Sequence, residues 1–194
     1  MTAKRIIQAI MRNDPAVRTR KEAWLYPGLW AVLHHRLANK LYRSGWFFLA
    51  RFVSQRARRR TGIEIHPGAT IGHGLFIDHG AGVVIGETCV IGDDVIIFHG
   101  VTLGGTGKET GKRHPTVEDG AFISAGATIL GNVNIGAGAK IGTNAIVLKD
   151  VPAGDTVVCE PARNTRLEAS LRNEIAVLKE QIEALKTSAP HAGS

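Results

Sequence analysis

The sequence predicts an α+β protein in which helices flank a parallel β-helix at both ends. Three observations support this: an aliphatic residue recurs every six positions over most of residues 63–157, glycine is abundant at 23 of 194 residues, and both flanking segments space their apolar residues three and four apart. The predicted parts are a helical domain at 1–62, the β-helix at 63–166, and a helix with a loose tail at 167–194.

The first part is predicted to be helical because apolar residues recur at helical spacing between Trp24 and Leu41. Tyr26-Pro27-Gly28 is expected to break or restart the helix. Asp14-Pro15 has the sequence of a helix N-cap followed by proline at the first helical position. A second apolar group is interpreted as core of this domain; its members are Trp46, Phe47, Phe48, Phe52 and Val53.

Positive charge is concentrated at the N-terminal end, where residues 1–62 hold 14 basic and 2 acidic residues. The sharpest cluster, Arg56-Ala57-Arg58-Arg59-Arg60, could indicate nucleic-acid or membrane contact. Since no aromatic or groove-reading motif accompanies it, we interpret it as a solvated helix end and expect neither partner. No apolar run reaches the roughly 20 residues of a membrane span, and no signal peptide is recognised, so we expect a cytoplasmic protein.

The repeat is the strongest signal in the chain. Steps of six are interrupted by a two-residue slip before Ile85 and by an insertion between Leu103 and Val117. A period of six fits a short strand plus a tight turn, and three such units make a triangular coil with the aliphatic side chain inside. The spacing does not show the hand of the coil. The aliphatic positions are Ile65, Ile71, Ile77, Ile85, Ile91, Ile97, Leu103, Val117, Ile123, Ile129, Ile135, Ile141 and Val147.

The C-terminal part is predicted to be a helix over 167–186. Apolar residues alternate steps of four and three from Leu171 to Leu185, which is typical of a short coiled-coil seam. Residues 188–194 should form a loose tail.

Five sequence elements together resemble the serine O-acetyltransferases, a family of hexapeptide-repeat acyltransferases, over about residues 14–166. The resemblance implies a left-handed β-helix behind a helical domain, shorter here than in the family's long forms. It implies acetyl transfer from acetyl-CoA to the hydroxyl of L-serine, giving O-acetyl-L-serine in cysteine biosynthesis. The elements are Glu64-Ile-His-Pro, Asp78-His79-Gly80, Val84-Ile-Gly-Glu-Thr88, Val101-Thr-Leu-Gly-Gly-Thr-Gly-Lys108 and Lys112-Arg113-His114-Pro115.

The resemblance also implies roles for individual residues. His79 matches the catalytic base, which such a reaction needs because a serine hydroxyl is a poor nucleophile at neutral pH. Glu64 stands where the family has an aspartate that orients this histidine. Asp78 and Asp14 match acids that hold serine, while Arg113 would bind its carboxylate and His114 would add a further contact. The positions that match the family's coenzyme A contacts are Gly105, Thr106, Ala125 and Lys140.

Family active sites lie between neighbouring β-helices, so the resemblance implies a homotrimer or a dimer of trimers. It also implies feedback inhibition by L-cysteine, which carries a thiol in place of the serine hydroxyl. Many members dock a terminal isoleucine into O-acetylserine sulfhydrylase. Because this sequence ends at Ser194, we expect that docking to be weak or absent.

The residues alone leave three other functions open. The acceptor could be a sugar or another amino alcohol. A non-catalytic scaffold would bind no coenzyme A. A zinc carbonic anhydrase would need three imidazoles, for which His66, His73, His79, His99 and His114 are available, although that reading leaves the glycine-rich loop without a purpose and we expect no metal.

Overall fold

The computed structural model describes residues 2–107, 110–160 and 165–188. By packing, the chain divides into two compact units, 1–159 and 160–194. The described part of the first unit begins with helices α1 (Thr2–Asn13), α2 (Pro27–Arg43) and α3 (Phe47–Thr61), with a short 3-10 helix at Glu22–Leu25 before α2. The second unit contains helix α4 (Thr165–Ser188).

Fourteen short strands follow α3 in the described residues of the first unit. They are β1 (Glu64–Ile65), β2 (Thr70–Ile71), β3 (Phe76–Ile77), β4 (Val84–Ile85), β5 (Val90–Ile91), β6 (Ile96–Ile97), β7 (Thr102–Gly104), β8 (Thr116–Val117), β9 (Phe122–Ile123), β10 (Thr128–Leu130), β11 (Asn134–Ile135), β12 (Lys140–Ile141), β13 (Ile146–Val147) and β14 (Thr156–Val157).

The strands form three parallel sheets. Sheet A has the order β1-β4-β7-β10-β13, sheet B has β2-β5-β8-β11, and sheet C has β3-β6-β9-β12-β14. The chain visits A, B and C in turn, so three strands make one coil of a triangular prism. We name the three prism edges A/B, B/C and C/A after the sheets that the chain leaves and enters.

The register confirms the predicted repeat and explains both of its breaks. Val84 pairs with Thr102, three hexapeptides further along the chain. Glu64 pairs with Val84, so the first coil holds the two-residue slip. Thr102 pairs with Thr128, so the insertion lengthens one coil at the A/B edge. All thirteen predicted aliphatic residues lie at the buried strand position and form the core.

Hydrogen bonds between coils run in both directions. The backbone N–H of Glu64 donates to the Val83 carbonyl of the next coil at 2.9 Å, and the Gly100 N–H donates back to the Ala81 carbonyl at 2.9 Å. The first coil, β1 to β3, lies at the edge of all three sheets, so its outward carbonyls have no neighbouring coil to donate to them. Buried carbonyl groups without a donor are costly, so another element must supply one.

Side chains of α2 and α3 supply those donors. Ser54 Oγ donates to the Ile65 carbonyl at 2.9 Å, and Asn39 Nδ2 donates to Pro67 at 2.8 Å. Arg36 donates through its two terminal nitrogens to the carbonyls of Ile71 and Gly72. The helices thus close the open end of the β-helix.

The aromatic group at the start of α3 is mostly exposed, so its assignment to the helical core is wrong. Trp46 is 64% and Phe48 is 86% exposed. The face that α3 buries consists of Ala50, Ser54 and Ala57 instead. Small side chains let the helix approach the first coil closely enough for Ser54 to reach the Ile65 carbonyl.

Other helix features follow the sequence more closely. The chain restarts as α2 at Pro27, as predicted. A Cβ on Gly28 would lie 2.5 Å from the Ile77 carbonyl, so only glycine allows α2 to pack this closely on β3. The arginines of the basic cluster lie in the exposed last turns of α3. Among the described residues, no helix is both long enough and apolar enough to cross a membrane.

The described part of the second unit is dominated by one long helix. The predicted span 167–186 falls within α4, and its described seam residues Leu171, Ile175, Leu178 and Ile182 are about half exposed. Of the predicted tail at 188–194, Ser188 is the last residue of α4, and residues 189–194 lie outside the described residues.

We predict that acidification destabilises the fold through His35. This side chain of α2 is 3% exposed, and burial lowers its pKa to about 4. The unfolded chain takes up the proton near pH 6.5. Stability should therefore fall as the pH drops from about 6.5 towards 4, by about 2 kcal/mol between pH 8 and pH 5.

Denaturant unfolding of the wild type and of His35→Leu at both pH values measures this loss. Between pH 8 and pH 5, the free energy of unfolding of the variant should fall by about 2 kcal/mol less than that of the wild type. His34→Leu, one position earlier on the same helix, is the matched control and should behave as the wild type. An equal loss in all three proteins would show that His35 is not the source.

Candidate active site

The C/A edge carries one group of the predicted site residues. Its turns stack on each other: the Gly100 N–H donates to the Ala81 carbonyl and the Gly126 N–H to the His99 carbonyl, both at 2.9 Å. Asp78 and His79 follow β3, His99 follows β6 and Ala125 follows β9. These residues therefore succeed one another along a single edge of the prism.

His79 lies in a strained turn and is open to solvent. Its φ of 57° is uncommon for a residue with a side chain, and its side chain is 72% exposed. Its Nε2 lies 3.8 Å from Asp78 Oδ2, and its ring centroid lies 5.8 Å from that of His99 in an edge-to-face arrangement. An accessible imidazole beside a carboxylate is suited to accept a proton.

Asp14 joins this edge from the helical segment. The N-cap interpretation is wrong, because Asp14 follows α1 and no helix begins there. Its Oδ1 accepts the Ala16 N–H at 2.8 Å, and its Oδ2 accepts the hydroxyl of Tyr26. The Tyr26 hydrogen bond lowers the pKa of Asp14 most, the Ala16 N–H lowers it further, and the charge of His79 adds to this.

Tyr26 was not identified from the sequence. Burial, the hydrogen bond to Asp14 and the nearby carboxylates of Asp14 and Asp78 together raise its pKa to about 12. Asp14, Tyr26, Asp78 and His79 therefore face a common region. A lone tyrosine before a proline carries no motif that would have indicated this contact.

Glu64 is held by arginines of α3. Its carboxylate pairs with Arg58 Nε at 3.2 Å and with Arg51 Nη2 at 3.8 Å. No hydrogen bond or ion pair joins Glu64 to His79, both of which lie in the described part of the chain. The structure therefore does not bring this predicted pair together, because guanidinium groups of α3 take the carboxylate.

The A/B edge carries the second group of site residues. Arg113 Nη2 donates to Glu87 Oε2 at 2.5 Å, and the Tyr42 hydroxyl donates to Glu87 Oε1 at 2.7 Å. These two hydrogen bonds, with that of Tyr42 the larger cause, lower the pKa of Glu87. The guanidinium of Arg113 is thus held by a carboxylate that is itself fixed.

Thr88 organises the loop that carries His114. Its Oγ1 accepts the backbone N–H groups of Arg113 at 3.0 Å and His114 at 3.1 Å. The Thr88 N–H lies 3.2 Å from His114 Nδ1, and the Thr88 hydroxyl lies 2.9 Å from it. Because Nδ1 accepts these hydrogen bonds, the neutral ring carries its proton on Nε2.

The environment of His114 favours this neutral form. Burial lowers its pKa, and the charge of Arg113 lowers it further. A Cβ on Gly86 would lie 2.2 Å from His114 Nε2, so glycine at this position makes room for the ring. His114 therefore presents an N–H donor beside the cation of Arg113.

The four predicted coenzyme A contacts are spread over the prism. Gly105 and Thr106 follow β7 at the A/B edge, Ala125 lies on the C/A edge, and Lys140 begins β12 on the exposed face of sheet C. The Gly131 N–H donates to the Gly104 carbonyl at 3.0 Å, which ties the start of the loop to the next coil. Lys108, part of the motif in this loop, lies outside the described residues.

The predicted site residues thus fall into two groups on different edges of one protomer, which we call half-sites. Asp14, Asp78 and His79 belong to the C/A edge, whereas Arg113 and His114 belong to the A/B edge. Sheet A separates the two groups. A site that used both would need two protomers.

The histidines considered for a zinc site are also distributed. His66 and His114 lie at the A/B edge, His73 at the B/C edge, and His79 and His99 at the C/A edge. Among residues 2–107, 110–160 and 165–188, no group of three or more histidine, cysteine, aspartate or glutamate side chains could hold a metal ion.

Comparison with known proteins gives a consistent result. The family model for bacterial transferase hexapeptide (six repeats) matches residues 114–149. A serine acetyltransferase of Bacillus licheniformis is 58% identical over 161 residues, which cover 82% of this chain and 74% of the relative. A serine acetyltransferase of Helicobacter pylori is 56% identical over 158 residues, which cover 81% of this chain and 92% of the relative.

Solved structures agree with the sequence relatives. The crystal structure of Neisseria gonorrhoeae serine acetyltransferase in complex with serine has a TM-score of 0.79 at 43% identity, covering 84% of this chain and 67% of that chain. A serine acetyltransferase in complex with cysteine has a TM-score of 0.80 at 45% identity, covering 84% and 63%. These likenesses confirm the predicted fold class, in which helices precede a left-handed β-helix along the chain and a C-terminal helix follows it.

Proposed function

We propose that this chain, which belongs to the serine acetyltransferase family, transfers acetyl from acetyl-CoA to the hydroxyl of L-serine at a site that two protomers share. The observation that carries the proposal is the division of charged groups between two edges. Acids and the exposed His79 lie on the C/A edge, and a cation with an N–H donor lies on the A/B edge. These groups complement the ammonium, hydroxyl and carboxylate of an amino acid.

The substrate would bridge the two edges. We assign its ammonium to the carboxylates of Asp14 and Asp78, which face the same region as Tyr26. Its carboxylate would meet Arg113, whose planar guanidinium can donate two parallel hydrogen bonds, and the Nε2–H of His114. This arrangement places the serine hydroxyl at His79.

His79 would act as the general base. Its imidazole takes the hydroxyl proton while the serine oxygen attacks the thioester carbonyl carbon. The carbon–sulfur bond of the resulting tetrahedral intermediate then breaks, and the imidazolium returns the proton to the departing thiolate. Asp78, 3.8 Å from Nε2, stabilises the positive charge that the ring acquires.

Glu64 is proposed to orient His79 during the reaction. The Glu64 N–H donates to the Val83 carbonyl and the Gly82 N–H to the Gly62 carbonyl, which joins the start of β1 to the turn that contains His79. The carboxylate must exchange Arg58 for the imidazole to act in this way. Its extra methylene, compared with aspartate, lengthens its reach.

Acetyl-CoA would lie along the same edges. Gly105 and Thr106 offer backbone at the A/B edge, where the absence of a Cβ on Gly105 lets a long ligand approach. Ala125 lies beyond His99 on the C/A edge, and the exposed ammonium of Lys140 can meet a phosphate. These groups bind and orient the donor so that its thioester reaches His79.

The shared site supports a homotrimer, alone or as a pair of trimers. Threefold symmetry would bring the C/A edge of each protomer to the A/B edge of the next and complete three sites. We place the reaction in the cytoplasm, where the few cysteines of the chain are in keeping with a reducing compartment.

We predict that His79→Ala lowers kcat for serine acetylation by at least about a hundredfold while coenzyme A still binds, since general-base assistance is worth at least that much. Thiol release with L-serine measures turnover, and calorimetry measures coenzyme A binding. His73→Ala, which removes an exposed histidine at the B/C edge, is the matched control and should keep wild-type turnover.

Near-normal turnover of His79→Ala would refute the catalytic assignment. The same assay with amino sugars and other amino alcohols tests the acceptor. Faster turnover of such a compound than of L-serine by the wild type would refute the proposed substrate.

We predict that two inactive variants restore each other when mixed. His79→Ala damages the C/A edge and Arg113→Ala the A/B edge, so a mixed trimer contains one site with neither change. Random mixing of equal amounts should regain about a quarter of wild-type activity, and purified mixed trimers about a third, since one of their three sites is intact. Co-expression with two different tags, followed by sequential purification, isolates the mixed trimers.

Activity no higher than that of the separate variants would show that each protomer holds a complete site. The control is a mixture of His79→Ala with Glu64→Gln. Both changes fall on the half-site of the C/A edge, so this pair should regain less.

We predict that L-cysteine inhibits competitively with L-serine. Its ammonium and carboxylate match those of serine, so Asp78, Arg113 and His114 would hold both. Initial rates at several serine concentrations should give intersecting lines with an unchanged maximal rate. Inhibition that high serine does not relieve would place cysteine at a different site.

A further inference from the structure

We propose that Tyr26 and Tyr42, at opposite ends of α2, are positioning residues for the two half-sites. Tyr26 fixes the carboxylate of Asp14 on the C/A edge. Tyr42 fixes the carboxylate of Glu87 on the A/B edge, and through it the guanidinium of Arg113. This inference rests on the proposed function, since it assigns the two tyrosines to the recognition of serine.

Tyr26 is held in place by the chain around it. It precedes Pro27, which restricts the preceding residue to extended backbone, and its φ and ψ are −70° and 124°. The Tyr26 N–H donates to the Ala23 carbonyl at 3.3 Å, which anchors it to the preceding turn. The hydroxyl therefore approaches Asp14 from a defined direction.

The two oxygens of Asp14 have different partners. Oδ2 accepts the Tyr26 hydroxyl and Oδ1 accepts the Ala16 N–H. Together they fix the plane of the carboxylate, which leaves its remaining lone pairs for a substrate ammonium. Loss of the phenol would let the carboxylate rotate about its side-chain bonds.

Tyr42 is held by aromatic packing. Its ring makes edge-to-face contacts with Phe47 at 5.0 Å and with His66 at 5.8 Å between centroids. These three side chains and Glu87 line a cavity of about 430 Å³ beside the A/B edge. The ring cannot swing away from Glu87 without losing both contacts.

Glu87 transmits this position to Arg113. Oε1 accepts from Tyr42 at 2.7 Å, and Oε2 accepts from Arg113 Nη2 at 2.5 Å. Arg113 also donates through Nη1 to the Gly111 carbonyl at 3.3 Å. The remaining N–H groups of the guanidinium are therefore oriented by a chain of contacts that begins at Tyr42 on α2.

Tyrosines at the two ends of one helix therefore contact carboxylates at both edges. The 17 residues of α2 span about 25 Å at the usual rise per residue. The sequence contains two tyrosines: Tyr26 donates its hydroxyl to Asp14, a proposed serine contact, and Tyr42 donates to Glu87, which holds another, Arg113. In an assembly with shared sites, the two ends of α2 would belong to two different active sites.

Kinetics of Tyr26→Phe and Tyr42→Phe test the inference. Each change removes only a hydroxyl, and hydrogen bonds to charged groups are the stronger kind. We expect KM for L-serine to rise about five- to tenfold in each variant, while kcat stays within about threefold of the wild type and KM for acetyl-CoA does not change.

Double variants show whether each tyrosine acts through its carboxylate. Tyr26→Phe combined with Asp14→Asn should bind serine no more weakly than Asp14→Asn alone, and Tyr42→Phe combined with Glu87→Gln should behave like Glu87→Gln. Fully additive losses would overturn the inference for that tyrosine.

Ser54→Ala is the matched control for a merely structural role. It also removes one hydroxyl that joins a helix to the coil, but at the Ile65 carbonyl. It should lower the thermal midpoint and leave KM for serine unchanged. A KM shift in Ser54→Ala as large as in the tyrosine variants, or no shift in those variants, would overturn the inference.

Failure of the proposed function would look different. A wild-type protein that does not acetylate L-serine refutes the proposed function before any variant is compared. A wild-type protein that does so, with phenylalanine variants of unchanged KM, refutes the inference alone.

Discussion

The unpaired edge of the first coil is the constraint on which the rest of the structure depends. Neighbouring coils exchange hydrogen bonds in both directions, and β1, β2 and β3 have a neighbouring strand on one side only, so the first coil presents carbonyl groups that no strand satisfies. Arg36, Asn39 and Ser54 provide donors for them. Because those residues lie on α2 and α3, the helices must pack across the end of the prism.

That packing also determines what the helices can contribute to chemistry. With α2 fixed at its middle by Arg36 and Asn39, its two ends reach opposite sides of the end of the prism. Tyr26 then meets Asp14, and Tyr42 meets Glu87. The side chains that satisfy the backbone and those that orient the charged groups are thus placed by the same helix.

Much of the fold could be predicted because the repeat is local: a period of six positions the thirteen core residues and reveals both irregular coils. The buried face of α3 could not be predicted, since the spacing of apolar residues does not show which face of a helix packs on a neighbour. In the structure the buried residues are Ala50, Ser54 and Ala57. Motifs in the sequence point to most of the proposed site residues, whereas Tyr42 meets Glu87 across 45 positions without any pattern. The competition of Arg58 for Glu64 likewise depends on how α3 ends against β1.

The long coil has a consequence for how such a scaffold can diversify. Leu103 still pairs with Ile129, and Val117 with Ile135, although extra residues have been inserted between Leu103 and Val117. The packing of the stacked interior therefore does not depend on the length of a loop at a prism corner. Loops at prism corners can grow, shrink or be exchanged between proteins while the core stays in phase, which separates what the molecule recognises from what keeps it folded.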